Sequence, residues 1–204
     1  MEQYDVNEQG VLVEYMPEDF EEDMYAVVPE GVKVISRDAF WCLGHLKSVT
    51  LPNTVIEIEE EAFFECEQLE TINIPDSVKN IGDGAFYLCR KLKNIEVPKE
   101  TFVGDAAFAH CYCLANSEGF IIVNDVLYGY VGQNEELTIP QNVIRISGRA
   151  FEGRQSIIKV NLPNGLLSIG EDAFCNCTNL EQVNFPDSLT EIGDGAFYRT
   201  KIKL

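Results

Sequence analysis

Apolar residues recur along this chain at fixed distances from seven Ala-Phe pairs. The phenylalanines follow one another at intervals of 23, 23, 22, 43, 23 and 23 residues. A period of 20 to 29 residues with recurring aliphatic positions predicts a solenoid of stacked coils, because one such coil cannot bury its apolar side alone. The phenylalanines are Phe40, Phe63, Phe86, Phe108, Phe151, Phe174 and Phe197, and the column five residues before them is Ile35, Ile58, Ile81, Val103, Ile146, Ile169 and Ile192.

Each coil contains two segments that predict short strands. Residues 71–74, Thr-Ile-Asn-Ile, alternate polar and apolar with the period of two of a half-buried strand, and Pro75 ends this strand because proline has no amide donor. A Val-x-x-Ile segment follows, and a glycine such as Gly82 then permits a tight bend. We expect the Ala-Phe pair to open about two turns of helix, with the phenylalanine pointing inward.

The repeat resembles the BspA-type class of leucine-rich repeat, whose units read Leu-x-x-Ile-x-Ile-Pro-x-x-Val-x-x-Ile-Gly-x-x-Ala-Phe-x-x-Cys. The resemblance covers about residues 25–200, and residues 81–87 recur letter for letter as residues 192–198. It implies an α/β fold: a right-handed, curved leucine-rich-repeat solenoid with parallel strands on one side and short helices on the other. It also implies protein recognition, often on the surfaces of bacteria and protozoa.

Two stretches interrupt the repeat and are predicted to be β-hairpins. Residues 120–130 read as two strands joined by Asn124-Asp125, and residues 4–15 have the same shape around Gly10. The first hairpin is expected to cap the apolar end of the stack, and the second to form a bulge or kink. We therefore expect one domain over residues 1–204, divided into a hairpin cap (1–24), four repeats (25–114), an inserted hairpin (115–134) and three repeats (135–204).

The formal net charge of -19 disfavours nucleic acid and anionic membrane surfaces as partners. No window is apolar enough to span a bilayer, so we expect no membrane insertion. The first residues lack the features of a secretory signal, which predicts a cytoplasmic location; the alternative is a cell-surface or secreted protein whose signal precedes this numbering. The acidic stretches at residues 18–23 and 57–61 are interpreted as solvated, with an acidic interaction patch or weak calcium site as the alternative.

Seven cysteines are the strongest candidates for chemistry, and four of them occupy one column, three residues after the phenylalanine. We expect this column to fill buried space as small apolar side chains. Disulfides between neighbouring coils are geometrically possible, but the odd count and the missing signal favour free thiols. Cys111-x-Cys113 and Cys175-x-Cys177 are too tightly spaced for a zinc knuckle, and neither His45 nor His110 resembles a general base. We expect no metal, cofactor or catalytic site. The column is Cys66, Cys89, Cys111 and Cys177, and the other cysteine is Cys42.

The remaining candidate site is the outward side of the strands that precede the prolines. Its two rows are polar and mostly uncharged, and such faces either solvate the sheet or bind a partner along the concave side of a solenoid. They lack aromatic anchors, while Trp41, His45, Tyr87 and Tyr198 follow the opposite flank. The rows are Ser48, Thr71, Asn94, Glu136, Lys159 and Gln182, and Thr50, Asn73, Glu96, Thr138, Asn161 and Asn184.

The function that these features favour is a non-catalytic protein-protein interaction module that binds an unidentified protein through the concave strand face. The alternative is a structural segment of a longer, adhesin-like solenoid that self-associates through its C-terminal end. An enzyme is disfavoured because the sequence offers no paired acids or nucleophile constellation.

Overall fold

The computed structural model describes residues 4–17 and 22–203. The chain divides into two compact units, Met1–Leu114 (the N-terminal unit) and Ala115–Leu204 (the C-terminal unit). Each unit contains a long sheet and a short sheet, and most coils add one strand to each. The predicted solenoid of parallel strands is thus confirmed within each unit, while a single domain over residues 1–204 stays a prediction.

Among its described residues, the N-terminal unit contains nine strands. Its long sheet has the order β1-β2-β4-β6-β8-β9, and its short sheet has the order β3-β5-β7. The strands are β1 (Tyr4–Val6), β2 (Val11–Tyr15), β3 (Met24–Val27), β4 (Val34–Ile35), β5 (Leu46–Thr50), β6 (Glu57–Ile58), β7 (Thr71–Ile72), β8 (Asn80–Ile81) and β9 (Phe102–Val103).

Over residues 115–203, the C-terminal unit repeats this plan with eight strands. Its long sheet has the order β10-β11-β13-β15-β17, and its short sheet has the order β12-β14-β16. The strands are β10 (Phe120–Val123), β11 (Val126–Tyr130), β12 (Glu136–Thr138), β13 (Arg145–Ile146), β14 (Lys159–Asn161), β15 (Ser168–Ile169), β16 (Gln182–Asn184) and β17 (Glu191–Ile192).

Both predicted hairpins form, and each lies at one edge of its unit's long sheet. The pairs β1–β2 and β10–β11 are antiparallel, whereas β2 and β11 run parallel to β4 and β13. The second hairpin turns at Asn124 and Asp125, whose φ angles of 47° and 62° are the two positive values that a type I′ turn requires. The second strand of each hairpin therefore takes the place of a coil in the parallel ladder.

The phenylalanines form the centre of the core in each unit. Phe63 lies between Phe40 and Phe86, with ring centroids 4.7 and 5.1 Å away, and Phe174 lies between Phe151 and Phe197 at 4.7 and 5.2 Å. The rings are nearly parallel, and all seven phenylalanines are buried. Their predicted inward direction is confirmed.

The predicted helices after Ala-Phe are wrong, because this segment is a series of tight turns. The residues two before and two after every one of the seven phenylalanines have positive φ, as Glu61 and Glu65 do at 57° and 58°. A left-handed residue interrupts a right-handed helix. Within the described residues the sole helical element is a 3₁₀ turn at Tyr112–Leu114.

The backbone of these turns bonds alternately within its own coil and to the next one. Around Phe63, the N–H of Phe64 donates to Glu61 O at 3.0 Å, whereas the N–H of Phe63 donates to Ala85 O at 2.8 Å. The N–H of Phe174 likewise donates to Ala196 O at 2.7 Å. The turns therefore act as a third hydrogen-bonded ladder between coils, which a helix could not provide because its amides bond internally.

Side chains that point into the stack also bond to the preceding coil. The buried Cys89 thiol donates to Phe63 O at 3.2 Å and Cys177 to Phe151 O at 3.0 Å, so this column is hydrogen-bonded as well as space-filling. A Cβ added at Gly82 would collide with the backbone nitrogen of Glu60. This glycine is therefore needed for close approach between coils, more than for the bend that the sequence predicts.

One predicted strand is missing from the N-terminal unit. Residues 94–97 alternate like the other strands, but Asn94 has a φ of 55°, which is incompatible with extended backbone. Ile95 and Val97 are only half-buried as a result. Asparagine tolerates the left-handed region better than most residues, so this coil leaves the short sheet after β7.

The phenylalanine column generates a stability prediction. Truncation of Phe174 to Ala should lower the free energy of unfolding by about 3 to 5 kcal/mol, because it opens a cavity between two stacked rings. Truncation of Phe197, which is 8% exposed and stacks through one face, should lower it less. Urea unfolding followed by circular dichroism measures both, and equal midpoints for the two variants would contradict this account of the core.

Candidate functional site

The six predicted site residues of the N-terminal unit lie together on one shallow groove. Ser48 and Thr50 are on β5, and Thr71 is on β7 in register with Ser48. The groove floor is formed by Val49, Ile72 and Ile74. Asn94 and Glu96 lie on its rim but not on a strand, since the strand predicted for them does not form. The predicted residues that line this groove are Ser48, Thr50, Thr71, Asn73, Asn94 and Glu96.

The six predicted residues of the C-terminal unit are in register on β12, β14 and β16. Glu136 pairs with Lys159 and Lys159 with Gln182, while Thr138 pairs with Asn161 and Asn161 with Asn184. The Lys159 ammonium lies 3.5 Å from the Glu136 carboxylate, and Asn161 Nδ2 donates to Thr138 Oγ1 at 3.3 Å. Side chains along these rows are thus partly engaged with one another.

Two of the predicted contact residues hold the backbone of the preceding coil. Leu51 N–H donates to Asn73 Oδ1 at 2.8 Å, and Asn73 Nδ2 donates to Leu51 O at 2.9 Å. Asn184 makes the same pair of bonds to Leu162, at 2.7 and 3.2 Å. In both places the carboxamide bonds the residue that directly follows a strand, Leu51 after β5 and Leu162 after β14. These two side chains therefore have a structural task.

The sequence analysis missed two residues on the same face. Tyr25 and Val27 lie on β3 in register with Ser48 and Thr50, and their side chains are 68% and 65% exposed. They stand at the same position of the repeat, 23 residues before Ser48 and Thr50, so extending both rows by one coil would have found them. The face therefore carries an exposed aromatic side chain, which the two predicted rows lack.

A tyrosine from the first hairpin supports the strand that carries this pair. Val27 N–H donates to Tyr4 Oη at 2.8 Å, and the Tyr4 ring lies against Tyr15 with centroids 5.0 Å apart. Burial raises the pKa of the Tyr4 phenol above its usual value, and the bond from Val27 opposes that rise. Tyr4 therefore fixes one end of β3 while Tyr25 stays exposed.

The acidic stretch at residues 57–61 is engaged with neighbouring coils. Arg37 Nη2 lies 2.7 Å from Glu61 Oε2, and the backbone N–H of Arg37 donates to Glu59 Oε2 at 2.8 Å. Asn80 Nδ2 donates to Glu57 Oε1, also at 2.8 Å. Of the other acidic stretch, residues 18–21 lie outside the described residues. The described part of the chain contains no group of three or more His, Cys, Asp or Glu side chains suited to a metal ion.

A second set of aromatic side chains follows the turns of the N-terminal unit. Phe64 stacks between Trp41 and Tyr87, with centroids 6.4 and 5.2 Å away. His110 meets Tyr87 edge-on at 5.1 Å, and its Nδ1 lies 2.9 Å from Tyr112 Oη. The ring faces are mostly occupied by other rings, so this row contributes to the stack more than to an open surface.

All seven cysteines are free thiols, but they differ in accessibility. Cys66, Cys89 and Cys111 are buried, and burial raises their thiol pKa well above the usual value. Partial burial and the Glu65 carboxylate 3.4 Å away raise the pKa of Cys42 to about 11. Cys113 is exposed. None of the shifted thiols is an activated nucleophile, which requires a lowered pKa.

The sequence matches a known family model over most of its length. Residues 24–121 and 121–204 match the model of the BspA type leucine rich repeat region, in six copies. In the part of the chain that the structure describes, no helix is long and apolar enough to cross a membrane. Comparison with curated proteins yields no match.

Two solved structures share the fold. A leucine-rich repeat protein from T. pallidum is 26% identical, with a TM-score of 0.58 over 97% of this chain and 87% of that chain. A leucine-rich repeat protein from Bacteroides ovatus is 28% identical, with a TM-score of 0.58 over 98% of this chain and 56% of that chain. Both similarities extend over nearly the whole of this sequence.

The paired asparagine bonds generate a prediction about stability. Asn184→Ala should lower the free energy of unfolding by about 1 to 3 kcal/mol, because it leaves Leu162 N–H and C=O without these partners. Asn161→Ala is the matched control in the neighbouring coil, since the Asn161 amide donates to a side chain, Thr138 Oγ1, at 3.3 Å. Urea unfolding compares the two; an equal loss in both variants would remove the special role of Asn184.

The thiols generate a prediction about reactivity. In the folded protein at pH 8, a thiol reagent should modify Cys113 first and Cys42 slowly, because the Cys42 thiolate forms only near pH 11. Raising the pH toward 11 should accelerate the modification of Cys42. The buried column should react only after unfolding, when seven thiols titrate without reductant. Mass spectrometry of labelled peptides identifies each site, and early labelling of Cys89 would contradict the prediction.

Proposed function

Because this chain belongs to the BspA-type leucine-rich repeat family, we propose that it is a non-catalytic protein-recognition module. Its partner binds the outward face of the short sheet in the N-terminal unit. Leucine-rich repeats are generally protein-interaction modules, and their parallel strands offer an extended rigid surface. The partner is an unidentified protein, since a surface of this chemistry does not name a ligand.

The observation that carries this proposal is the exposure of Tyr25 and Val27 on a strand whose neighbours are polar. An aromatic ring that is 68% exposed, beside a valine that is 65% exposed, is an apolar centre on an otherwise hydrophilic face. Binding surfaces typically consist of such an anchor within a polar rim. Ser48, Thr50 and Thr71 supply that rim at strand-to-strand spacing.

Rigidity supports the assignment to this face. β3 is hydrogen-bonded to β5, and Tyr4 binds Val27 N–H, so Tyr25 projects from fixed backbone. A preorganised anchor loses little conformational entropy on binding. The corresponding face of the C-terminal unit carries Glu136 where this face carries Tyr25, and that Glu136 is paired with Lys159.

The chemistry of the other polar groups favours binding over catalysis. The thiols with resolved shifts have raised pKa values, and the His110 ring is held by Tyr87 and Tyr112. A catalytic cysteine or histidine requires the opposite, an activated group facing a cleft. The family supports the same reading by analogy.

The test removes the anchor without disturbing the stack. The double variant Tyr25→Ser, Val27→Ser should weaken partner binding about 10- to 100-fold, the effect of losing a central aromatic contact. The partner is captured from native lysate on the immobilised wild-type protein, identified by mass spectrometry, and its affinity for each variant is measured by calorimetry.

The matched control is Trp41→Ser, which removes a 51% exposed aromatic side chain from the turn side of the same unit. It should leave the affinity unchanged, and the double variant should unfold at the urea concentration of the wild type. Full affinity of the double variant would refute this face, as would equal losses in the double variant and the control.

A further inference from the structure

The outer edge of β3 carries backbone groups that no described residue bonds. β3 is the first strand of its short sheet, and β5 pairs with its other edge. Val28 N–H donates to Thr50 O of β5, whereas Val27 N–H donates to Tyr4 Oη on the opposite side. Because successive peptide groups of a strand point to opposite sides, the N–H and C=O of Tyr25 point the same way as Val27 N–H. Three groups are therefore open at this edge: Tyr25 N–H, Tyr25 C=O and Val27 C=O.

This open edge is a consequence of the first hairpin. β1 and β2 both join the long sheet, so neither lies beside β3 in the short sheet. The C-terminal unit has the same plan, since β10 and β11 both belong to its long sheet and β12 is the first strand of its short sheet. A hairpin in this position thus leaves the first short strand without a neighbour on one side. Such an edge is a template for pairing with a strand of another chain.

The open edge and the exposed pair of the proposed face belong to the same residues. The side chains of Tyr25 and Val27 stand on the outward face of β3, and both are exposed. Side chains on neighbouring strands lie about 4.5 to 5.5 Å apart when they are directly opposite. A strand added at this edge would therefore place every second side chain against this aromatic and aliphatic pair.

A groove lies at the end of β3, on the side of the first hairpin. Its volume is about 580 Å³, and its lining includes Tyr4, Val6 and Pro29 together with the carboxylates of Glu8 and Glu30. Apolar walls with acidic groups suit a lysine or arginine side chain, whose stem is apolar and whose head is charged. The groove thus offers a place for the side chains of an added strand that point away from the outward face.

The surroundings of this edge are strongly acidic. The first 32 residues of the sequence contain ten acidic residues and no lysine, arginine or histidine. Two lysines lie nearby: Lys33 lines the groove, and Lys47 on β5 is 3.5 Å from Asp23 Oδ1. Carboxylates remain in excess, so a cationic segment is the partner that this edge favours. The acidic residues in the described part of this stretch are Asp5, Glu8, Glu14, Glu22, Asp23 and Glu30.

We propose that the partner contributes an extended segment, rich in lysine or arginine, that adds to β3 as a further strand. This inference rests on the proposed function, because the segment binds beside the face of Tyr25 and Val27. Its backbone bonds the open groups of β3, its alternate apolar side chains pack against the exposed pair, and its basic side chains meet the carboxylates. In strand addition the main-chain bonds supply affinity and the alternate side chains supply specificity. Pairing of two β3 edges from two copies is disfavoured because it brings the acidic surroundings together.

The test compares two substitutions at Tyr25. The probe is a fluorescent peptide of alternating lysine and valine, about nine residues long, which is the length of a long strand. Tyr25→Ser and Tyr25→Pro both remove the ring, but only proline also removes the edge N–H, and proline is tolerated at an edge whose N–H faces solvent. By fluorescence anisotropy, Tyr25→Ser should bind the peptide about 10-fold more weakly than the wild type, and Tyr25→Pro about 10-fold more weakly still.

The matched control peptide has every backbone amide methylated, so it keeps its charges and side chains but donates no hydrogen bonds. It should bind the wild-type protein at least about 10-fold more weakly than the unmodified peptide. This comparison needs no change in the protein, so it holds even if Tyr25→Pro unfolds in a urea melt. A peptide of alternating glutamate and valine should not bind, and added salt should weaken binding of the lysine peptide.

The outcomes separate the added strand from the proposed face. The added strand is overturned if the lysine peptide does not bind the wild type, or if the methylated peptide or the glutamate peptide binds equally well. Equal losses in Tyr25→Ser and Tyr25→Pro also overturn it, but they leave the proposed face intact. If Tyr25→Ser keeps wild-type affinity while Tyr25→Pro loses it, the edge binds the peptide and the proposed face is wrong.

Discussion

The fold depends on one constraint: each coil must hold its turn hydrogen-bonding groups and its phenylalanine ring in register with those of the neighbouring coils. Phe63 N–H reaches Ala85 O, and the Phe63 ring stacks on Phe86, because the two coils hold these groups in matching positions. Two residues with positive φ flank each phenylalanine, and each such non-glycine residue costs about 1 to 2 kcal/mol. The bonds between turns and the buried rings offset this cost, which explains why a strained conformation recurs in seven coils.

The single coil of 22 residues shows how this constraint is met when the spacing changes. Val78 and Thr101 are 23 residues apart, but Ile81 and Val103 are 22 apart, so the missing residue falls between Thr101 and Val103. Thr101 occupies the place of the valine column, is buried, and donates its hydroxyl to Val78 O at 2.8 Å. A polar residue is tolerated there because its hydroxyl is satisfied, and the stack continues through Phe108.

The sequence pattern predicts the positions that are buried in every coil. It does not predict features that depend on local backbone conformation. The columns of Ile58 and Phe63 and both hairpins follow from spacing alone. The turns did not, because Glu61 and Leu88 adopt positive φ without the glycine or asparagine that would signal it; Gly84 and Gly195 were the available hint. The candidate face was predicted as two rows of residues that begin at Ser48 and Thr50. Tyr25 was not included because it lies one strand earlier, on β3, before the first repeat proline. The backbone bonds of Asn73 depend on where β7 ends, which no pattern in the sequence indicates.

The polarity of the turn ladder explains why the two ends of a stack differ chemically. Turn amides donate forward: Phe151 N–H bonds Ala173 O, and Phe174 N–H bonds Ala196 O. The first coil of a stack therefore needs a donor before it, and the first hairpin supplies one, because Tyr15 N–H donates to Ala39 O at 3.0 Å while its ring lies 5.3 Å from Phe40. The coil of Phe197 ends the described ladder of its unit, so its turn amides need the opposite, a set of carbonyl acceptors. Because a hairpin of this kind provides a donor and a ring on one side, it can begin a stack but cannot complete one.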